Sequence, residues 1–298
     1  MTITRTAQLR DAIPDAPTSP APNGAATVAT RKPDPAGDLI ASMESEFRKL
    51  LPSALPWDMF ARIALTGMRK NDKLIEATRP SLLGALMECA RLGLAPCTEQ
   101  ASLSTFKNRR RGNVLECQLI IGYQGYIQLM YRSGQVEQVE AEMVYEADEW
   151  EYTLGDGGRF FHRPKLLLPP EERGAPLFAY AYATLRGGGR TKVSITPRWK
   201  AEELRKKHGN VWDSNFLEMW GKTPLRQVQK YAPKSSELRR AELLDGAVID
   251  LGGVATLDDG RTIDSTVVDE PTGAVNDTDD DMGWPPAAQP ADANPASQ

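Results

Sequence analysis

Histidine is almost missing from this chain, which has two in 298 residues, His162 and His208, and cysteine is nearly as scarce, at Cys89, Cys97 and Cys117. No pair of cysteines has the C-x-x-C spacing, so zinc ribbons, zinc fingers and redox dithiol motifs are excluded. An odd, scattered set of thiols reads as reduced cysteine in a cytosol and not as a disulfide scaffold. No window holds the ~18 consecutive apolar residues of a membrane span, and the N-terminus lacks an apolar signal core. A cytoplasmic protein with no membrane partner is therefore expected.

Nucleotide-binding loops are missing too. Gly221-Lys222-Thr223 resembles the end of a phosphate-binding loop, but that motif needs a glycine at position 216, where Phe216 stands. Gly155-Asp156-Gly157 is followed by no helical pattern, which rules out a dinucleotide fingerprint. Basic residues all but vanish from the end of the chain: Glu242 to Gln298 holds 13 acidic residues and one basic, Arg261, which leaves 35 basic against 27 acidic upstream. The overall charge of −4 thus hides a body of +8 and a tail of −12. Such segregation suits a body that binds a polyanion, with a tail that competes for it, meets a separate partner or keeps the protein soluble.

With 41% hydrophobic residues the chain can bury a sizeable core. Residues 1–37, rich in Pro, Ala and Thr, and residues 251–298, rich in Asp, Gly, Thr and Pro, show no hydrophobic period and read as disordered. One domain over 38–250 remains. Helical spacing predicts helices from Asp38 to Pro52, from Pro56 to Met68, and from Pro80 to Leu92 with Gly93 as the stop. Two strand-like runs, Ala101–Asn108 and Val114–Ile121, then predict a hairpin around the loop at 109–113. Its tip, with Lys107, Arg109, Arg110 and Arg111, is placed to meet phosphates without prior desolvation.

Gly122 breaks the strand and starts a short amphipathic helix with an apolar stripe at Tyr123, Ile127 and Met130. Arg132 falls in its last turn and Gly134 stops it. Further strands are predicted over Val136–Tyr145, Glu149–Leu154, 159–163 and 177–185, joined by turns at 155–158 and 187–189, the latter opening onto Arg190 and Lys192. They read as one antiparallel, hairpin-rich sheet. Two helices close the domain, from Thr196-Pro197 to His208-Gly209, with a basic Arg205-Lys206-Lys207 end, and from Ser214 to Tyr231, kinked at Pro224 or restarted there with Thr223 as cap. Lys222, Arg226 and Lys230 recur at i, i+4 and i+8, a cationic stripe about 12 Å long with no acid on its face. Glu140, Glu142, Glu146, Asp148, Glu149 and Glu151 offer carboxylates for Mg²⁺, but no lysine or histidine accompanies them at a nuclease spacing, and a solvated strand face explains them equally.

Five of these stretches resemble, in order, the RecT family of phage and prophage single-strand DNA annealing proteins, which is related to the Redβ-type proteins. They are IIGYQGYIQLMYRSG (120–134), VYEADEWEY (144–152), HRP (162–164), AYAYATLRGGG (179–189) and EMWGKTPLRQVQKYAP (218–233). Matching family positions are Tyr123, Gly125, Arg132, Gly134, Lys222, Thr223, Arg226 and Lys230, whereas Gly221 and Pro224 depart from the usual Lys-Lys-Thr-Ala-like helix and put its geometry in doubt. The resemblance implies an α+β fold with a basic DNA-binding groove between sheet and helix, and ATP-independent annealing by a non-enzyme. It also implies a homo-oligomer, ring or helical filament, on single-stranded and annealed duplex DNA, with a phage exonuclease and a host single-strand binding protein as possible partners. No cofactor is expected, and Mg²⁺ has no assigned site. Expected phosphate contacts are Lys107, Arg109, Arg110, Arg111, Arg132, Arg190, Lys192, Lys222, Arg226 and Lys230; Tyr123, Tyr126 and Phe161 are candidates for base or sugar packing, with core packing as their alternative. The rival functions are a strand-coating replication accessory protein that does not anneal and, less favoured, a metal-dependent nuclease.

The tail adds one expectation. Asp279, Asp280 and Asp281 precede Trp284, an acidic run with one large aromatic that suits an anchored, steered partner peptide. Truncation after Leu251 is predicted to keep or strengthen single-strand binding while impairing recombination in the native host. Full recombination by the truncated protein would leave the tail only a solubilising role.

Overall fold

Prolines punctuate the N-terminal third into helices: α1 (Pro35–Ala41), α2 (Glu44–Leu50), α3 (Trp57–Lys70), α4 (Lys73–Glu76) and α5 (Arg79–Leu92). The computed structural model describes residues 34–155, 159–209, 211–257 and 260–265. The segment before 34, the tail beyond 265 with its Trp284, most of the 155–158 turn and the Arg110 side chain lie outside the described residues. Periodicity predicts one helix from Asp38 to Pro52, but the chain forms two. The Ser42 hydroxyl donates to the Leu39 carbonyl at 2.7 Å and the Met43 amide to Ile40 at 3.2 Å, closing a tight turn that ends α1. Trp57, Phe60, Ala64 and Met68 form the buried face of α3, and Phe47 stacks on Trp57 at 5.6 Å. Helix α5 is buried nearly all round, because it lies between the first hairpin and the last sheet.

That hairpin is β1 (Ala101–Asn108) and β2 (Val114–Ile121), in register from Ala101↔Ile121 to Asn108↔Val114 around a 3-10 turn at Arg109–Arg111. Then follow α6 (Tyr123–Arg132), β3 (Val136–Tyr145), β4 (Glu149–Tyr152), β5 (Phe160–Arg163), α7 (Pro170–Arg173), β6 (Pro176–Leu185) and β7 (Ser194–Pro197). The chain continues through α8 (Arg198–His208), α9 (Val211–Ser214), α10 (Phe216–Val228), a 3-10 turn at Gln229–Tyr231, and α11 (Ser236–Leu244). It ends in β8 (Val248–Ile249), β9 (Val254–Thr256) and β10 (Thr262–Asp264). The class is α+β with antiparallel sheets, but the strands over 136–185, expected as one sheet, divide between β3–β6–β7 and β4–β5, and the described residues hold two further sheets, β1–β2 and β8–β9–β10.

The two faces of β6 explain the layering. Ala179, Ala181 and Ala183 are fully buried, and their small side chains let α10 lie close over the β3–β6–β7 sheet. Phe178, Tyr180 and Tyr182 alternate with them on the other face. The β4–β5 hairpin folds over that aromatic face, with Phe160 edge-on to Tyr180 at 4.5 Å and Trp150 edge-on to Phe178 at 4.9 Å.

Composition ends the folded domain at residue 250, yet β9 and β10 lie beyond it, in the stretch read as disordered. Ala255, Leu257 and Ile263 pack with Leu244, Ala247 and Ile249, an apolar set too short and too diluted by Asp and Gly to give a period. Arg240 locks this unit to the helices: it makes two hydrogen bonds to the Glu88 carboxylate, at 2.6 and 2.8 Å, and one to the Ser265 carbonyl at 2.6 Å, with both side chains buried. A cut after Leu251 therefore removes two strands and one Arg240 acceptor, and tests more than the tail. In thermal melts the chain ending at Leu251 is expected to lose several degrees, at about 2–4 °C per kcal/mol for a domain of this size. A chain ending at Ser265 is expected to melt with the full protein; equal melting of both truncations would contradict the packing role of β9 and β10.

Candidate nucleic-acid interface

A backbone close approach builds the corner between β2 and α6. A Cβ on Gly122 would lie 1.9 Å from the Glu99 carbonyl oxygen, and one on Gly125 would lie 2.2 Å from that of Gln100. Only glycine fits at either position, and the Gly122 amide donates to Gln100 at 3.0 Å. The helix that starts there buries Gly125, Tyr126, Leu129 and Met130, so its inner face is rotated from the predicted Tyr123, Ile127, Met130 stripe. Tyr126 causes the rotation: its ring enters the core, 1% exposed, and its hydroxyl donates to Asp245 Oδ2 at 3.0 Å. Burial, reinforced by the Asp245 charge, pushes its pKa far above the ordinary tyrosine value. Tyr126 is thus corrected from a base-packing candidate to a core residue.

Asp245, which follows α11, gathers three elements. Its Oδ1 accepts the Ile121 amide at the end of β2 at 2.9 Å, and its Oδ2 accepts both the Tyr126 hydroxyl of α6 and the Arg226 guanidinium of α10. Arg226 is therefore not the unopposed cation that the helix spacing predicts; an acid 19 residues away in sequence meets it. The Lys222 ammonium lies 5.6 Å from the centre of the Tyr123 ring, whose hydroxyl donates to Glu99 at 3.4 Å and accepts from Gln124 at 3.0 Å. Lys230 is exposed in the 3-10 turn after α10, and Lys192 stands 5.4 Å from the ring of the adjoining Tyr231. Helix α10 runs through Pro224 without restarting. Thr223 does not cap it, since its hydroxyl donates back to the Met219 carbonyl at 2.9 Å, and the Trp220 indole clamps the helix to β7 through the Thr196 carbonyl at 2.7 Å.

The other candidates fall in separate places. Arg132 donates to the Leu92 carbonyl at the end of α5, where it satisfies a helix terminus; burial lowers its pKa, with Glu237 acting the other way. Lys107 and Arg109 are exposed at the hairpin tip, while Arg111 pairs with the buried Glu116 at 2.8 Å. Seven strand residues separate this tip from the Ile121 end, about 23 Å at ~3.3 Å per residue. Phe161 lies on the outer face of β5 between the guanidinium groups of Arg159 and Arg163, 5.8 and 5.4 Å from its centre. Arg190 covers Phe160 and Tyr182 at 5.6 and 5.5 Å. The structure thus unites Tyr123, Lys222 and Arg226 at one corner, with Lys230 following on the same segment, and leaves the tip and the outer face of β5 apart.

The acidic stretch does not converge on a metal. Asp148 is buried and accepts from Arg173 Nε and Nη2, the Lys165 and Tyr145 amides, and His162, while Glu140 takes Tyr182, Glu146 the Ala175 amide and Glu149 Arg163. Among the described residues no group of three His, Cys, Asp or Glu is placed to hold an ion. Burial pushes Cys97 up to about 11 and Cys117 to about 12, so neither is a thiolate at neutral pH. Burial would raise the Asp148 pKa, but the Arg173, backbone and His162 donors outweigh it and hold the carboxyl well below its usual range. A depressed carboxyl pKa contributes stability that is present above the unfolded value and lost as pH falls through the folded one. Asp148→Asn is expected to cost about 3–5 kcal/mol at neutral pH, the gap from wild type shrinking as pH falls below about 4. A pH-independent gap in denaturant titrations would contradict this.

A sequence profile described as the RecT family matches residues 58–264, from α3 to β10. Protein RecT of Escherichia coli (strain K12) is similar to this chain, with 35% identity over 212 residues that cover 68% of the chain and 77% of that protein. The profile match spans the corner, α10 and the strands beside them, and on the extent of both matches the chain belongs to the RecT family of single-strand DNA annealing proteins of recombination.

Proposed function

We propose that this protein anneals complementary DNA strands without nucleotide hydrolysis, holding the first strand by its backbone in a groove bordered by the α6 corner and α10. The observation that carries this reading is the pairing of the partly exposed Tyr123 ring with the Lys222 ammonium, an aromatic for a base or sugar beside a cation for its phosphate. Lys230 and Lys192 extend the positive edge. Arg226 contributes too, because a guanidinium carries five donors and only Nη2 is engaged by Asp245. Neutralising the phosphates removes the repulsion between strands and releases counterions. Base edges left outward then pair, and duplex stacking supplies about 1.4 kcal/mol per step, so the reaction needs no ATP.

Neighbouring copies sharing one strand, as a ring or helical filament, would place successive corners along the DNA. In this reading the Lys107–Arg111 tip and the Arg159–Phe161–Arg163 face touch DNA held mainly by an adjacent copy. No cofactor is required, any effect of Mg²⁺ being charge screening on DNA, and a phage exonuclease and a host single-strand binding protein are the proposed protein partners. Charge reversal at Lys222 or Lys230, or Arg226→Gln, which avoids setting an acid against Asp245, is expected to weaken single-strand binding equally for all sequences, since phosphates carry no sequence information. Each is also expected to flatten the slope of log K against log salt by about 0.7 per lost phosphate contact. Unchanged affinity and slope in all three variants would remove α10 from the DNA path.

A further inference from the structure

We infer that α8 carries a second contact for single-stranded DNA, one that receives the incoming complementary strand and not the strand already bound; this rests on the annealing reading above. Helix α8 turns Ala201 and Leu204 inward to pack with Trp212, Trp220 and Ala179. Trp199 and Lys206, seven residues apart, share the opposite face. Trp199 is 67% exposed, an unusual position for so large an apolar side chain, with the Lys200 ammonium 6.0 Å from its ring.

The charges of this face are mostly spent, except at one end. Arg198 pairs with Glu202 at 3.0 Å, Lys200 with Glu203 at 2.9 Å and Arg205 with Asp213 at 2.7 Å. Lys206 and Lys207 are exposed, and among the described residues no ion pair engages either. Cations in a last turn favour the helix dipole, but that account leaves the exposed indole at the other end unexplained. An indole and an ammonium separated by about 10 Å along the axis match roughly three nucleotides at ~3.4 Å each. A flat aromatic that stacks on any base, beside cations that meet phosphates, is the chemistry of sequence-tolerant single-strand binding. A protein partner would be matched by an apolar patch, whereas Trp199 stands among charged side chains.

The two sites separate by order of addition. Full-length protein is loaded with one labelled oligonucleotide in EDTA, its complement is added, and both first-strand affinity and annealing rate are measured for wild type, Trp199→Ala, Trp199→Phe and the Lys206→Glu, Lys207→Glu double variant. First-strand affinity is expected to stay within about twofold, while Trp199→Ala and the double variant slow annealing about tenfold or more and Trp199→Phe retains most of it. All four proteins are expected to melt alike, because the changed side chains are exposed. Wild-type annealing with unchanged rates in the variants overturns the second site alone, as does a parallel loss of first-strand affinity, which would assign α8 to the primary groove. A change in oligomer size without DNA, measured by light scattering, would make this face a protein interface and also overturn the inference. Failure of the wild type to anneal would sink the annealing reading and this inference together.

Discussion

The carboxylate of Asp245 holds together the face from which everything else follows. It accepts the last amide of β2, the hydroxyl of Tyr126 on α6 and the guanidinium of Arg226 on α10, so three elements distant in sequence take fixed positions around one half-buried charge. Tyr126 and Arg226 make Asp245 tolerable, and Asp245 in turn sets how far α10 stands from the corner. The contact of Lys222 with Tyr123 depends on that spacing.

A second carboxylate does the same for the opposite layer. Asp148 ties the end of β3, the strand carrying His162, the loop at Lys165 and the helix bearing Arg173, and His162 passes the connection on to the Tyr180 hydroxyl at 3.1 Å. This fastens the β4–β5 hairpin over the aromatic face of β6, leaving Phe161 and its two arginines outward. The sheet is thereby closed on both sides: by aromatics and a hairpin on one, by alanines and α10 on the other. Both hubs use acids whose value lies in the donors they collect, a property that composition does not reveal.

The first hairpin is readable in the sequence residue by residue, since two eight-residue strand-like runs, the second rich in β-branched and leucine residues, flank a loop that ends in Gly112-Asn113. The α6 corner is readable for a related reason: Gly122 and Gly125 are positions where any side chain would strike the backbone at Glu99 and Gln100, just ahead of β1. The rotation of α6 is not readable, because a tyrosine suits a surface stripe or a core equally until Asp245 is known to face it. The same acid defeats the reading of an unopposed Lys222, Arg226 and Lys230 stripe, since helix spacing carries no information about a residue 19 positions on. The β4–β5 hairpin forms a sheet of its own because it folds over β3–β6 instead of extending it. Strands β8 to β10 escape notice because two- and three-residue strands have no period to detect.

The central claim is that strand pairing is driven by neutralised phosphates and base stacking, with no chemistry supplied by the protein. The most direct measurement mixes complementary oligonucleotides with the full-length protein in EDTA, without ATP, and follows duplex formation and strand length together. Duplex appearing faster than in the protein-free control, from strands of unchanged length, is the predicted result. Slower pairing would instead identify a coat that shields bases, and shortening of the strands on adding Mg²⁺ would identify a nuclease; either would contradict the account.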